Sequence, residues 1–572
     1  MKRLSVLLVV IVSVSLLLSS CGGLNKMKKN AGTIEYTVNP NPLEMHVDSV
    51  ALTITGKFPP KYFNKKVILT ATPYLSGKNA EKSFKPVTLQ GEKVQDNFKV
   101  ISYTDGGSFT YTDKIPYDEA LRLSNLEIRI TAKKGNKSLD FDPITIAKGV
   151  IATPGLVQID PKPIIGKDKF QRITTEEKVA KILFKIQQSN LQPKELKKEE
   201  VQALLDYLNE IADDERKQLK KFDLSAYASP DGPQDLNERL SQDRGKVTKK
   251  FILKKFKEKE EIASEDVYNV RYTKEDWEGF KELMEASNIE DKDLVLRVLS
   301  MYSDPDQREK EIKNMSKIYT EIAEEILPQL RRSIMKVEVN KIGYSDEEIK
   351  SIYSTKPDSL KPEELLYAAT LYNDNNKKLE IYKKFAEIYT NDWRGPNNAA
   401  CMLIKLGKIE EAKQMLDKAK QLNENNAIIE NNFGVICLMK GNVDKAEEYF
   451  VGASGAGKEV NYNLGIVKIK KGDYQGAVDA FGNDCNLNAA LAKLLTEDYD
   501  GSIKTIDCSK DKNALLYYLK AVNGARKGDS DLLFNNLRIA VEKDANLAKI
   551  AATDMEFEKY FNDDTFKSIV NK

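Results

Sequence analysis

Asn398-Ala399-Ala400-Cys401-Met402-Leu403-Ile404-Lys405-Leu406-Gly407-Lys408-Ile409-Glu410-Glu411-Ala412 returns 34 residues later as Asn432-Phe433-Gly434-Val435-Ile436-Cys437-Leu438-Met439-Lys440-Gly441-Asn442-Val443-Asp444-Lys445-Ala446. Each window holds a small residue, a glycine seven positions on, and an alanine twelve positions on. The same frame recurs around Gly465, Gly472 and Ala477, and around Ala521, Gly528 and Leu533, with weaker copies centred on Ala369 and Ala490. Successive small residues lie 31, 34, 31, 25 and 31 apart. A fixed period of this length means stacked units, none able to bury its apolar face alone. The spacing predicts two helices per unit, with the glycine ending the first.

This pattern resembles the tetratricopeptide repeat. The resemblance implies an all-α solenoid over residues 362–566, kinked at the shortened unit before Ala490, that recruits protein partners on a face lined by the first helix of each pair. Asn398, Asn432 and Asn463 stand two residues before the small residue in three successive units. Two readings stand for them. A ladder of amides, each both donor and acceptor, pairs with the backbone of an extended peptide without reading its side chains; or the asparagines brace adjacent repeats.

Towards the N-terminus, residues 161–343 alternate strand and helix patterns, an α+β arrangement. Phe222, Leu224 and Ala226 have period two; Val201, Leu204, Leu205, Leu208 and Ile211 have helical spacing. The loop and helix from Tyr227 to Arg244 resemble the OmpA-like, peptidoglycan-binding domain, with Asn237, Leu240, Ser241 and Arg244 on its motif and Arg331-Arg332 before a closing strand. That family grips diaminopimelate through an arginine and an aspartate. Here Arg244 matches the arginine, Ser229 stands where the aspartate belongs, and Asp231 lies two residues further on. Ser229, Asp231, Asn237, Arg244 and Arg331 are thus the candidate wall-binding residues of a variant domain, with bracing of the turn as the alternative. The long insertion before Arg331 carries the apolar stripes Trp277, Phe280, Leu283, Met284 and Leu294, Leu296, Leu299, read as core.

Residues 33–156 alternate apolar and polar (Val50, Leu52, Ile54; Leu126, Ile128, Ile130) between Pro and Gly turns, the pattern of an antiparallel β-sandwich. Ahead of it, Lys2-Arg3 and an apolar run to Leu18 read as a signal peptide over residues 1–20. Leu18-Ser19-Ser20-Cys21 resembles the bacterial lipobox, which implies acylation (palmitate among the chains) at Cys21 and a lipidated tether over 21–32. The tether lacks the acidic cluster of surface-exported lipoproteins and an aspartate after Cys21. By that resemblance the chain belongs on the periplasmic face of the outer membrane.

Without Lys2 and Arg3 the chain has 87 basic and 87 acidic residues, so no overall field draws it to nucleic acid. His46 is the only histidine, which removes Ser-His-Asp and Cys-His catalysis and His-rich metal sites; no catalytic residue, metal or cofactor is expected. Cys401 and Cys437 fall among apolar residues and read as thiols, while Cys485 and Cys508 flank the shortened unit and are the candidate disulfide. The expectation is a non-enzymatic tether or scaffold, held to the bilayer at Cys21, binding envelope proteins through the repeats and peptidoglycan through the central domain. Two alternatives are an accessory subunit of a secretion, gliding or outer-membrane assembly machine without wall binding, and a surface lipoprotein whose sandwich binds glycan or a partner.

Overall fold

The computed structural model describes residues 23–571, so the signal segment 1–20 and Cys21 lie outside the described residues. The chain forms two compact units, one from residues up to Gly166 together with Asp374 onward, the other from Lys167 to Asn373.

In the first unit, Ser49–Phe58 pairs antiparallel with Glu35–Asn39 and Gly107–Pro116, and Ile68–Gly77 pairs with Ser124–Lys134 and Val87–Gly91. Leu43–His46 stitches the two layers, antiparallel to Ser49–Phe58 and parallel to Ile144–Ile151. Period two places Val50, Leu52 and Ile54 opposite Leu69, Ala71, Leu126, Ile128 and Ile130 in one core. The tether reading of 21–32 needs correction. Residues 23–29 are helical, and Leu24, Met27 and Ala31, at helical spacing, are buried in that core. Tyr62 donates its hydroxyl to the Met27 carbonyl at 3.0 Å.

The helical half of this unit contains five consecutive hairpins, from Arg394–Lys405 with Ile409–Leu422 to Ala514–Lys527 with Ser530–Lys543. Each first helix ends on a left-handed residue: Gly407, Gly441, Gly472 and Gly528, and Glu497 (φ 64°) in the shortened unit. The next N–H then reaches five residues back, as from Lys408 to the Leu403 carbonyl and from Asp498 to that of Lys493, both 2.9 Å, satisfying orphan carbonyls of the helix end. The small residues admit aromatics from the second helices. A Cβ on Gly434 would lie 2.6 Å from the Phe450 ring, and one on Gly465 2.5 Å from Phe481. The boundaries differ from the sequence reading at both ends of the central region: residues 161–166 belong with the repeats, and Pro362–Thr370, the copy around Ala369, belongs to the second unit.

That second unit holds a sheet in the order Ile173–Leu183, Arg332–Ile342, Lys217–Tyr227, Tyr268–Thr273, the last two strands parallel. Glu199–Asp213 and Gln234–Lys255 contribute Leu204, Leu208 and Ile252 to the core around Phe222, Leu224, Met335 and Val337. The insertion folds as short helices around its own core, with Phe280, Met284 and Leu299 inside and Trp277, Leu283 and Leu296 packed against it. Leu294, read as core, is instead 45% exposed.

Candidate functional site

Four asparagines on the first helices of successive hairpins grip one extended segment, and that segment is the chain's own residues 158–166. Asn398 accepts from the Gly166 N–H at 2.7 Å and donates to its carbonyl at 2.8 Å. Asn432 does the same to Ile164 at 2.7 and 2.8 Å, Asn463 to Lys162 at 2.6 and 3.0 Å, and Asn488 to Gln158 at 2.8 and 2.9 Å. All four side chains are at most 1% exposed. The gripped residues are even-numbered because alternate residues of an extended chain point their N–H and C=O to the same side.

The same amides also brace the repeats. Asn432 donates to Asn397 at 2.9 Å and Asn463 to Asn431 at 3.0 Å, while Asn397 and Asn431 add second bonds to the Ile164 and Lys162 carbonyls at 3.2 and 3.1 Å. Bracing of adjacent repeats and pairing with extended backbone thus share one network, with the chain's own residues in the place that the sequence reading gave to a bound peptide. Sequence reasoning missed Asn397, Asn431 and Asn488. The signals were present: an Asn-Asn doublet in two units, and Asn488 two residues before Ala490, the offset of the other rungs.

The segment is shaped for its place. Pro161 and Pro163 fall on the edge facing away from the amides, so that edge lacks those two donors, and each proline biases the residue before it to extended backbone. Gly166 is needed for close approach, since a Cβ there would lie 2.8 Å from Arg394 Cγ and 3.0 Å from the Trp393 ring. The Asp160 carboxylate takes the Tyr462 hydroxyl at 2.5 Å and the Asn488 amide at 3.4 Å. Cys401 lies beneath, its thiol 3.2 Å from the Ile164 carbonyl and pushed up to about 12 by burial. Cys437 is a half-buried free thiol. Cys485 and Cys508 are joined in a disulfide across the shortened unit.

In the second unit the residues of the turn close on one another. Arg331 meets Asp231 at 2.8 Å and donates to the Ser229 hydroxyl at 3.1 Å, and Ser229 donates to Asp231 at 2.5 Å. Asn237 donates to the Gly232 carbonyl at 2.9 Å. Arg244 is 1% exposed, its guanidinium spent on the carbonyls of Tyr227, Gln188 and Lys185 at 2.8, 3.1 and 3.4 Å. Burial, then repulsion from Arg331, lowers its pKa to about 10, so it stays charged at neutral pH. The cavity these residues line holds about 20 Å³, room for about one water. The wall-binding role assigned to Arg244 and Asp231 is therefore corrected: neither charge is free to meet a diaminopimelate group, and both brace the turn.

His46 packs edge-on against Tyr474 of the repeats, ring centroids 5.7 Å apart. The sandwich and the hairpins are further tied by Lys470 to Asp48 at 3.0 Å and Lys148 to Glu558 at 2.6 Å.

No family model matches the chain, and no curated protein matches it. Among solved structures, it is similar to a tetratricopeptide repeat protein from Parabacteroides merdae (16% identity, 37% of this chain and 90% of that one, TM-score 0.28). It is also similar to pilF of Pseudomonas aeruginosa (16%, 37% and 98%, TM-score 0.28). A third likeness is to the APC/C hetero-tetramer Cut9-Hcn1 (15%, 39% of this chain, TM-score 0.32), where the chain spans only 44% of its counterpart.

Proposed function

We propose that this protein is a non-catalytic scaffold of the bacterial envelope, lipid-anchored at Cys21 to the periplasmic face of the outer membrane, acting as an accessory subunit of a larger assembly without wall binding. The observation that carries this reading is the asparagine ladder closed on residues 158–166. A repeat face whose backbone-reading groups are already satisfied serves as an internal clamp, and partner proteins dock on other surfaces of the hairpins. Exposed apolar residues such as Val451 (61%) and Leu422 (41%) lie there, and two-helix repeats offer such surfaces at regular intervals. The burial of Arg244 supports the machine-subunit reading over the wall tether.

The test is in-cell photocrosslinking. Probes at Val451 and Leu422 should capture a protein partner, and probes at Asn432 and Asn463 should capture only residues of this chain. Partner capture at the ladder would overturn the clamp reading. Purified mature protein should stay in the supernatant with peptidoglycan sacculi, and sedimentation abolished by Arg244→Lys would restore the wall tether. Palmitate labelling lost in Cys21→Ala tests the anchor.

A further inference from the structure

The balanced net charge hides a local imbalance at one end of the sandwich. A Cβ on Gly23 would lie 2.8 Å from Asn64 Nδ2 and 3.9 Å from Lys134 Nζ, so the first described residue meets both the 59–67 loop and the hairpin tip at Lys134. Register places these together independently: Ile68 pairs with Lys133, and Lys134 with Lys137 across the tip. In the helix over 23–29, Leu24 and Met27 turn inward while Lys26 and Lys29 are exposed. Three segments distant in sequence thus bring Lys26, Lys29, Lys61, Lys66, Lys133 and Lys134 to one end. None of the six has a carboxylate within ion-pair distance among the described residues. Of the nearby acids, Asp142 pairs with Lys28 at 3.0 Å and Glu92 with Lys65 at 3.4 Å, while Asp140 accepts from the Thr131 hydroxyl at 2.6 Å.

We infer that this lysine-rich end is a docking surface for anionic phospholipid headgroups. Its orientation towards the bilayer rests on the proposed anchor. Cys21 is two residues from Gly23, at most about 7 Å of chain, so acyl chains there would hold Gly23, with Lys134 beside it, within about one Debye length, roughly 8–10 Å, of the headgroups. The surface works with the anchor: the acyl chains hold the protein on the bilayer, and the lysines set which end of the sandwich faces it. Each lysine near an anionic surface strengthens binding roughly fivefold.

The test uses the mature chain from residue 22, carrying no acyl group, in sedimentation with phosphatidylcholine vesicles with or without phosphatidylglycerol. We expect binding only to the anionic vesicles, release at high salt, and a loss of at least about a hundredfold in the triple variant Lys66→Glu, Lys133→Glu, Lys134→Glu, whose melting should be unchanged because the three side chains form no ion pairs. Equal recovery on both vesicle types, or full binding by the triple variant, would overturn the inference, as would duplex DNA being bound while the anionic vesicles are not. Because this protein lacks the acyl group, failure here leaves palmitate labelling at Cys21 unaffected, and loss of labelling leaves this measurement unaffected.

Discussion

The asparagine ladder and the arginine turn were both legible as polar sites, and both turn out to be closed by the chain itself, but by different physics. The ladder is neutral and repeats one side chain on one face of successive helices, so its geometry follows from the hairpin period. What it holds is backbone, contributed from 232 to 330 residues away. The turn is charged and local at its centre, and it closes because Arg331 arrives about a hundred residues later to neutralise Asp231. A neutral ladder can exchange occupants at the cost of hydrogen bonds, whereas the turn cannot open without stranding a charge.

That difference sets the order of the expected effects. Asp231→Ala leaves Arg331, about a tenth exposed, without its partner and should cost about 3–5 kcal/mol in denaturant unfolding of the second unit. A smaller loss there would mean that Arg331 is solvated and that the turn is as exchangeable as the ladder. Asn432→Ala strands the N–H of Ile164 and the amide oxygen of Asn397, while the Ile164 carbonyl keeps its bond from Asn397, and should cost about 2–4 kcal/mol, with faster hydrogen exchange at Ile164. No change at Ile164 would mean that Asn397 alone holds the rung. Reducing the disulfide releases a loop of 23 residues, an effect of about 3 kcal/mol on chain-entropy grounds. It should speed exchange at Gln158, held by Asn488 in the shortened unit, and leave Gly166, held by Asn398, unchanged. Equal loosening at both would make the ladder one cooperative element rather than separate rungs.

The smallest effect concerns Asp554, 5% exposed and bonded to the Tyr518 hydroxyl at 2.6 Å. Burial raises its pKa. In the window from about pH 4 upward the folded state therefore holds this proton more tightly than the unfolded chain, and stability falls as pH rises through it. Asp554→Asn should melt no lower than the parent at pH 7 and lose any advantage below about pH 4. A variant markedly less stable at pH 7 would show a charged Asp554 to be the stabilising form, as in the turn.

Much of the fold was readable where the governing interactions are local. The left-handed turns at Gly407, Gly441, Gly472 and Gly528 follow from glycine at the helix end, and Glu497 keeps the frame where the glycine is missing. Alternation in Val50, Leu52 and Ile54 gives the sheet face directly. The segment after Cys21 was misread because Leu24, Met27 and Ala31 are too few to announce a helix until a core exists for them to enter. Arg244 was misread because a motif names a residue type without saying which carbonyls lie within reach.

Local preferences along the chain lay down the hairpins, their turns and the alignment of Asn398, Asn432, Asn463 and Asn488, since helical period and glycine backbone preference act over a few residues. Long-range packing alone sets the ladder on residues 158–166, buries Arg244, and brings lysines from three segments to one end of the sandwich. Each of those depends on groups far apart in the chain, brought together because buried amides, carbonyls and charges must find partners once water is excluded.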